Sequence, residues 1–361
     1  MKKVHIFFIL IFYICAIFYL AITTPISPHE AHIYYTSTNI VSTFMHWGDS
    51  LLGGFLGLRI FFIFFGFLSI ILFYELSRRH FSERSDAYIS TVIFMFLPGI
   101  LTASTLANEA IIVLPLVLYF VLMYEKNSLW SLPFVMLALF FIHESSIVFF
   151  VALLLYSLVH KDKKLSIFSA AFLIAFIYLG KGIEIGGGPS GHFVEIFGLY
   201  ATVFSPLLFL YFFYAMYRIL LREEKTLVWY ISFTALVFSL LLSIRQRIHI
   251  ADFAPYVTIA IVLMLDVFNH SIRVRLPEFQ KQYRQAFYIV VSFLGLSISI
   301  IIFHQLFFLI LDDKSQHFAK KVYEPYFLAQ KLHSQSIECY DGAIGRETYQ
   351  LQYYNIYPCT K

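Results

Sequence analysis

The chain has 361 residues, of which 60% are hydrophobic and only 13% are Asp, Glu, Lys or Arg. Soluble domains carry about 25% charged residues, so this composition excludes a water-exposed globule and makes lipid the solvent for most of the chain. The net charge of +4 sits in short basic clusters between apolar runs, which speaks against a nucleic-acid surface.

The N-terminus, Met1-Lys2-Lys3, leads into an apolar run ending at Ile22. That run is longer than the core of a secretory signal and no A-x-A cleavage site follows it. It predicts an uncleaved first span over 4–23. A helix crossing a bilayer needs about 20 apolar residues, with about 17 as the lower end. Further spans are predicted over 57–76, 86–105, 109–124, 128–142, 145–159, 165–180, 197–217, 227–244, 253–269 and 287–311. The fold class expected is therefore an all-α polytopic membrane protein of about 11 transmembrane helices. Several spans are short, and 86–105/109–124 and 128–142/145–159 are joined by polar kinks. Such turns survive at depth where protein or a wet cavity surrounds them.

Orientation follows from Lys and Arg. With the N-terminus in the cytoplasm, the inner turns hold Arg78, Arg79, Arg84, Lys126, Lys161, Lys163, Lys164, Arg218, Arg222, Lys225, Arg273, Arg275, Lys281 and Arg284. The outer connections hold only Arg59, Lys181, Arg245 and Arg247. An odd number of spans then puts the C-terminus outside. The expected organisation is a transmembrane domain, 1–311, with a long first extracytoplasmic loop, 24–56, and a small extracytoplasmic tail, 312–361. A second outer segment, 181–196, contains a glycine run at 186–188 before Pro189 and marks a loop without the context of a phosphate-binding turn. In an oxidising compartment the tail cysteines, Cys339 and Cys359, are expected to pair. Cys15, inside the first span, is expected to be inert. Residues 346–357 read as a strand-bearing piece packed on the outer loops.

Ionisable groups near membrane depth are the functional candidates. Glu30, in Ser27-Pro28-His29-Glu30-Ala31, admits two readings. It could serve as a general base flanked by His29 and His32, or it could close a capping box on Ser27. Glu109, after Asn108, is either a helix-opening carboxylate favoured by the dipole or a second acid of an outer cavity. His143 and Glu144 mark a turn between two short helices. A metal site from His29, His32, His46 and Asp49 matches no strong ligand spacing. Arg245 and Arg247, with His249 close behind, break the positive-inside bias. They are either snorkelling cations or an anion site suited to a phosphate.

The order of these features resembles the GT-C glycosyltransferases, in particular the protein O-mannosyltransferases and lipid A aminoarabinose transferases. The resemblance covers most of the chain. It rests on Pro28-His29-Glu30-Ala31 opening the first outer loop, the Leu58-Arg59 re-entry, and the Pro-containing stretch FLPGILTASTLA before Asn108-Glu109. The polar turn in FIHESS and the basic pair before ADFAPYVTIAIVLML complete it. His29 stands where the family usually has Asp. The resemblance implies a sugar donor on a polyprenyl phosphate and an envelope glycan, lipid or protein acceptor. It implies Glu30, Glu109 and His29 as catalytic residues, and Arg245, Arg247 and His249 on the donor phosphate. These groups are expected to share one outer pocket, with Glu30→Gln abolishing transfer at normal abundance. A divalent metal is left open, and no nucleic acid is expected. The setting implied is a bacterial inner membrane with a periplasmic C-terminus. The competing readings are an O-antigen polymerase or ligase, a transporter, and a non-catalytic membrane protein.

Overall fold

The computed structural model describes residues 3–128, 130–181, 183, 186, 191–310 and 316–359. In chain order the first helices are α1 (Lys3–Thr23), α2 (Pro28–Thr36), α3 (Ile40–Leu52), α4 (Gly54–His80), α5 (Arg84–Met95) and α6 (Pro98–Thr105). Then come α7 (Glu109–Glu125), α8 (Leu132–Ile142), α9 (Ser146–His160), α10 (Lys163–Tyr178), α11 (Phe193–Phe204) and α12 (Pro206–Arg222). The last are α13 (Leu227–Arg245), α14 (Ala254–Thr258), α15 (Ile261–Arg273), α16 (Pro277–Ile302), α17 (Phe307–Ile310), α18 (Lys320–Ser334) and α19 (Arg346–Tyr353).

Among the described residues, five stretches are long and apolar enough to cross a bilayer: Ile6–Thr23, Gly54–His80, Leu227–Arg245, Ala254–Arg273 and Pro277–Ile302. They make the chain an integral membrane protein. Counting each of two bent pairs as one span raises the number to seven, against the eleven expected from hydropathy. The predicted spans 109–124, 128–142, 145–159 and 165–180 are helices of 17, 11, 15 and 16 residues.

The two bends have local causes. Pro98 lacks an N–H and disfavours helix at the residue before it, so α5 stops at Met95 and α6 departs at 59°. The straight span predicted over 197–217 is replaced by α11 and α12, which meet at 106°. The corner is Ser205, held at φ 80° and followed by Pro206. A non-glycine residue at positive φ before a proline cannot continue a helix, and the hydropathy average hides it.

The sequence places its domain boundary at 311/312, among residues outside the described set. The chain forms two compact units: Met1–Phe64 with Thr102–Asn108 and Ser299–Lys361, and Phe65–Leu101 with Glu109–Ile298. In the first unit the segment 24–56, expected to be an outer loop, is folded as α2 and α3. Gly53 and Gly54, both at positive φ, make the corner into α4. Gly48 and Gly57 let the two helices touch, because a Cβ on Gly48 would fall 2.1 Å from the Gly57 carbonyl oxygen. The tail joins the same unit. Its α18 packs on α19, and α19 on α2, around a small core of Ala329, Leu332, Leu351 and Ile356.

The cysteine pairing expected in the tail is present, Cys339 to Cys359. The strand expected over 346–357 is not. Residues 346–353 are helix α19, and the only β feature among the described residues is an isolated Cys339–Tyr357 bridge. Helical spacing turns Tyr349 toward His32 and Tyr353 toward Tyr34 and Phe55. It also buries Gln350, whose Nε2 donates to the Ile26 carbonyl at 2.8 Å. Packing against α2 outweighs the strand preference of a Tyr-rich segment.

In the second unit, α9 packs between α10 and α13, while α7 packs on α8 and α14. Helix α7 is buried almost all round, including Pro115, as expected of a helix that is apolar on every face.

Candidate active site

The first unit holds Glu30 and Arg59, both fully buried. Ser27 is the N-cap of α2, with Pro28 in its first turn, and Glu30 at N3 completes the capping box. Glu30 Oε2 accepts the Ser27 N–H at 2.9 Å and an Arg59 terminal nitrogen at 2.8 Å. Its Oε1 accepts Arg59 Nε at 2.9 Å and the Ala107 N–H at 2.8 Å. The guanidinium is equally committed. Beyond the carboxylate it donates to the carbonyls of Ala21, Thr24 and Pro25 at 3.0, 2.7 and 3.0 Å.

Two carboxylate oxygens offer about four acceptor positions and a guanidinium five donors; all are used. Burial pushes the Glu30 carboxyl upward, but the Arg59 charge and the hydrogen bonds from Arg59, Ala107 and Ser27 outweigh it and hold it below its usual range. The capping-box reading of Glu30 is thus present, within a buried clasp. The clasp ties the end of α1, the start of α2, α4 and the residue before Asn108, and it leaves no lone pair for a substrate proton.

His29 lies beside it on α2 and lines a cavity of about 530 Å³ with Lys321, Glu324, Arg346 and Glu347. The histidines of the conjectured metal site are engaged locally. His32 meets Thr36, His46 Nε2 lies 3.0 Å from the Tyr34 carbonyl, and Asp49 accepts the Tyr34 hydroxyl at 2.8 Å. Among the described residues no three His, Cys, Asp or Glu side chains gather as a metal site.

The second unit holds Glu109, Arg245, Arg247 and His249. It also assembles a cluster around His143, a sequence candidate, in which Asp252 and Tyr256 were not singled out by the sequence. His143, the C-cap of α8, is buried. Its Nδ1 lies 2.9 Å from the hydroxyl of buried Tyr256, on α14, and its Nε2 lies 3.9 Å from Asp252 Oδ1. Asp252 sits in a single 3-10 turn, Ile250–Asp252, and is 40% exposed. Helix α7 packs on this turn and on α14. Glu109 opens α7. Tyr256 is fixed from behind by Ser232, which donates to its carbonyl at 2.8 Å.

An accessible carboxylate, an imidazole and a phenol therefore stand in sequence, on elements against which the Glu109-bearing helix α7 packs. The stretch that supplies Asp252 and Tyr256 also supplies Arg245, Arg247 and His249, all three exposed. Arg247 is held by Glu195, which accepts from its Nε at 2.9 Å and from a terminal nitrogen at 2.5 Å. His192 Nδ1 lies 2.9 Å from the other Glu195 oxygen. Gln246, between the arginines, accepts the Gly186 N–H at 2.8 Å. Asp252 follows Arg247 and His249 closely in the sequence, a signal that could have found it, whereas Glu195 has no nearby Lys or Arg to mark it.

Among the solved structures that resemble the chain, two match it almost end to end. One is ArnT from Cupriavidus metallidurans in the apo state, with a TM-score of 0.57 and 12% identity, covering 97% of this chain and 84% of that one. The other is ArnT from the same organism bound to undecaprenyl phosphate, with a TM-score of 0.61 and 11% identity, covering 99% and 86%. The chain has the ArnT fold. This agrees with the GT-C-like architecture that the sequence resemblance implied. No protein-family model and no curated protein sequence matches the chain.

Proposed function

We propose that the chain is a membrane glycosyltransferase that moves a sugar from a polyprenyl-phosphate donor to a hydroxyl of an envelope lipid, glycan or protein. The observation carrying this reading is the fold likeness to ArnT over nearly the whole chain, one of the two neighbours being bound to undecaprenyl phosphate. The disulfide and the basic turns support an extracytoplasmic reaction face. The bacterial inner membrane, with a cytoplasmic N-terminus and a periplasmic C-terminus, is the setting this implies.

In the reaction, an acceptor oxygen forms a bond to the anomeric carbon as the bond from that carbon to the phosphate oxygen breaks. The acceptor proton passes to a carboxylate, and the polyprenyl phosphate leaves with the electron pair. Glu109 takes the proton in this scheme. Asp252, His143 and Tyr256 provide the path by which it is relayed to water. Arg245, Arg247 and His249 face the charge developing on the leaving phosphate. Glu30 is assigned to holding the fold through Arg59. His29 lines the first unit's cavity and is given no step in this scheme.

The direct test is purified protein in nanodiscs, given a polyprenyl-phosphate-linked sugar and candidate acceptors, with release of polyprenyl phosphate as the readout. A cryo-EM map with the soaked carrier adds an independent check: a head group lodged away from Arg245 would remove the donor assignment. Growth of long glycan chains on one carrier, in place of single-sugar transfer, would favour the polymerase or ligase reading.

A further inference from the structure

The second unit carries a separate cationic cavity of about 490 Å³ at the C-terminal ends of α12 and α15. Arg218, Arg222 and Arg275 converge on it, and no carboxylate is among its lining residues. Two of the three guanidiniums are held in place. Arg218 donates to Ser271, whose hydroxyl is itself anchored to the Val267 carbonyl at 2.7 Å. Arg275 lies over the Tyr283 ring, 3.6 Å from its centroid. The nearest counter-charge is Glu223, at 3.2 Å from Arg218 Nε, a contact of charge rather than a directed hydrogen bond.

Helix C-termini attract cations, and that is the ordinary reason for arginine in a last turn. Two helix ends amount to about one negative charge between them. With Glu223 they balance two of the three guanidiniums, which leaves about one positive charge unmet, enough for a single phosphodiester. The rim supplies the second half of the argument. Leu221 is 60% exposed and Val274 74%, and Tyr214 and Tyr217 border the same opening. Exposed aliphatic groups and tyrosines around fixed guanidiniums are the chemistry of a membrane interface, not of a site for a soluble anion.

We propose that this cavity binds the phosphodiester headgroup of an anionic membrane phospholipid, its acyl chains lying along the exposed apolar rim. The site uses none of the residues assigned to sugar transfer and stands whether or not that assignment holds. It lies among the basic turns expected to face the cytoplasm.

The test is native mass spectrometry of the full chain released from nanodiscs containing equal phosphatidylglycerol and phosphatidylcholine. The wild type is expected to retain phosphatidylglycerol preferentially. Arg222→Gln and Arg275→Gln should each weaken that retention about fivefold, while Arg222→Lys keeps most of it. Arg222 is exposed, so its replacement leaves folding intact. Equal retention of both lipids by the wild type, or unchanged preference in both Gln variants, overturns the proposal. Displacement of the lipid by millimolar inorganic phosphate would overturn the lipid source and leave a soluble-anion site.

Discussion

Replacing Glu30 with Gln keeps the side chain's size and removes its charge. Arg59 is 0% exposed, so its guanidinium would be left in the interior without a counter-ion. The new amide also presents N–H groups to a shell made of donors: the guanidinium and the N–H groups of Ser27 and Ala107. Breaking one side of a buried ion pair costs about 3–5 kcal/mol, a large share of a typical stability of about 5–15 kcal/mol. Even the lower figure shifts the folded-to-unfolded ratio by about two orders of magnitude. The expected outcome is loss of folded, monodisperse protein in fluorescence-detected size exclusion after a heat step, with activity per folded molecule largely kept.

Arg59→Met alone should be as damaging. The double variant Glu30→Gln/Arg59→Met should recover part of the loss, since neither charge is then stranded. The pH dependence has a definite sign. Glu30 is held below its ordinary value of 4.5, so its contribution is fully present above that value and is lost as pH falls through the depressed native value. Wild-type protein should lose stability progressively below about pH 4.5, with a flatter acid limb in Glu30→Gln. A Glu30→Gln protein with wild-type melting and no transfer would refute this reasoning and restore Glu30 as the base.

Glu109→Gln should lower kcat about 10²–10⁴-fold with normal folding, as expected for loss of a general base. Asp252→Asn and His143→Ala should produce smaller losses with a shifted pH–rate profile; an unchanged profile in both would remove the relay. Glu195→Gln should raise the donor KM several-fold and leave kcat within about twofold, because it frees Arg247 without removing it. A fall in kcat with KM unchanged would place Glu195 in the chemistry instead. Cys339→Ser opens a loop with a sequence separation of 20 residues, an effect of about 3 kcal/mol by loop entropy. It should expose the segment after α18 to limited proteolysis, while equal protease resistance in the two proteins would deny the disulfide that role.

Bulk properties survived from sequence to structure because they depend on composition and short-range pattern. The helical membrane class, the GT-C-like architecture, the tail disulfide and the Ser27–Glu30 capping box were all legible, the last from four adjacent residues. The count of eleven spans is not matched: four of the predicted spans are helices of 17, 11, 15 and 16 residues, and a hydropathy average over about 19 residues hides both how short they are and the corners at Pro98 and Ser205-Pro206 inside two others. The Tyr-rich tail became helix α19 because its partners are on α2, more than 300 residues away in the chain. Long-range packing likewise determined the surroundings of the candidate acids. Glu30 looked accessible in its own segment, and only Arg59 and Ala107, brought from elsewhere, enclose it. The approach of His143, Asp252 and Tyr256 has no sequence spacing to announce it, since an imidazole and a carboxylate about a hundred residues apart meet through helix packing. Local chemistry told which residues could act, and the tertiary arrangement decided which of them still have a free face.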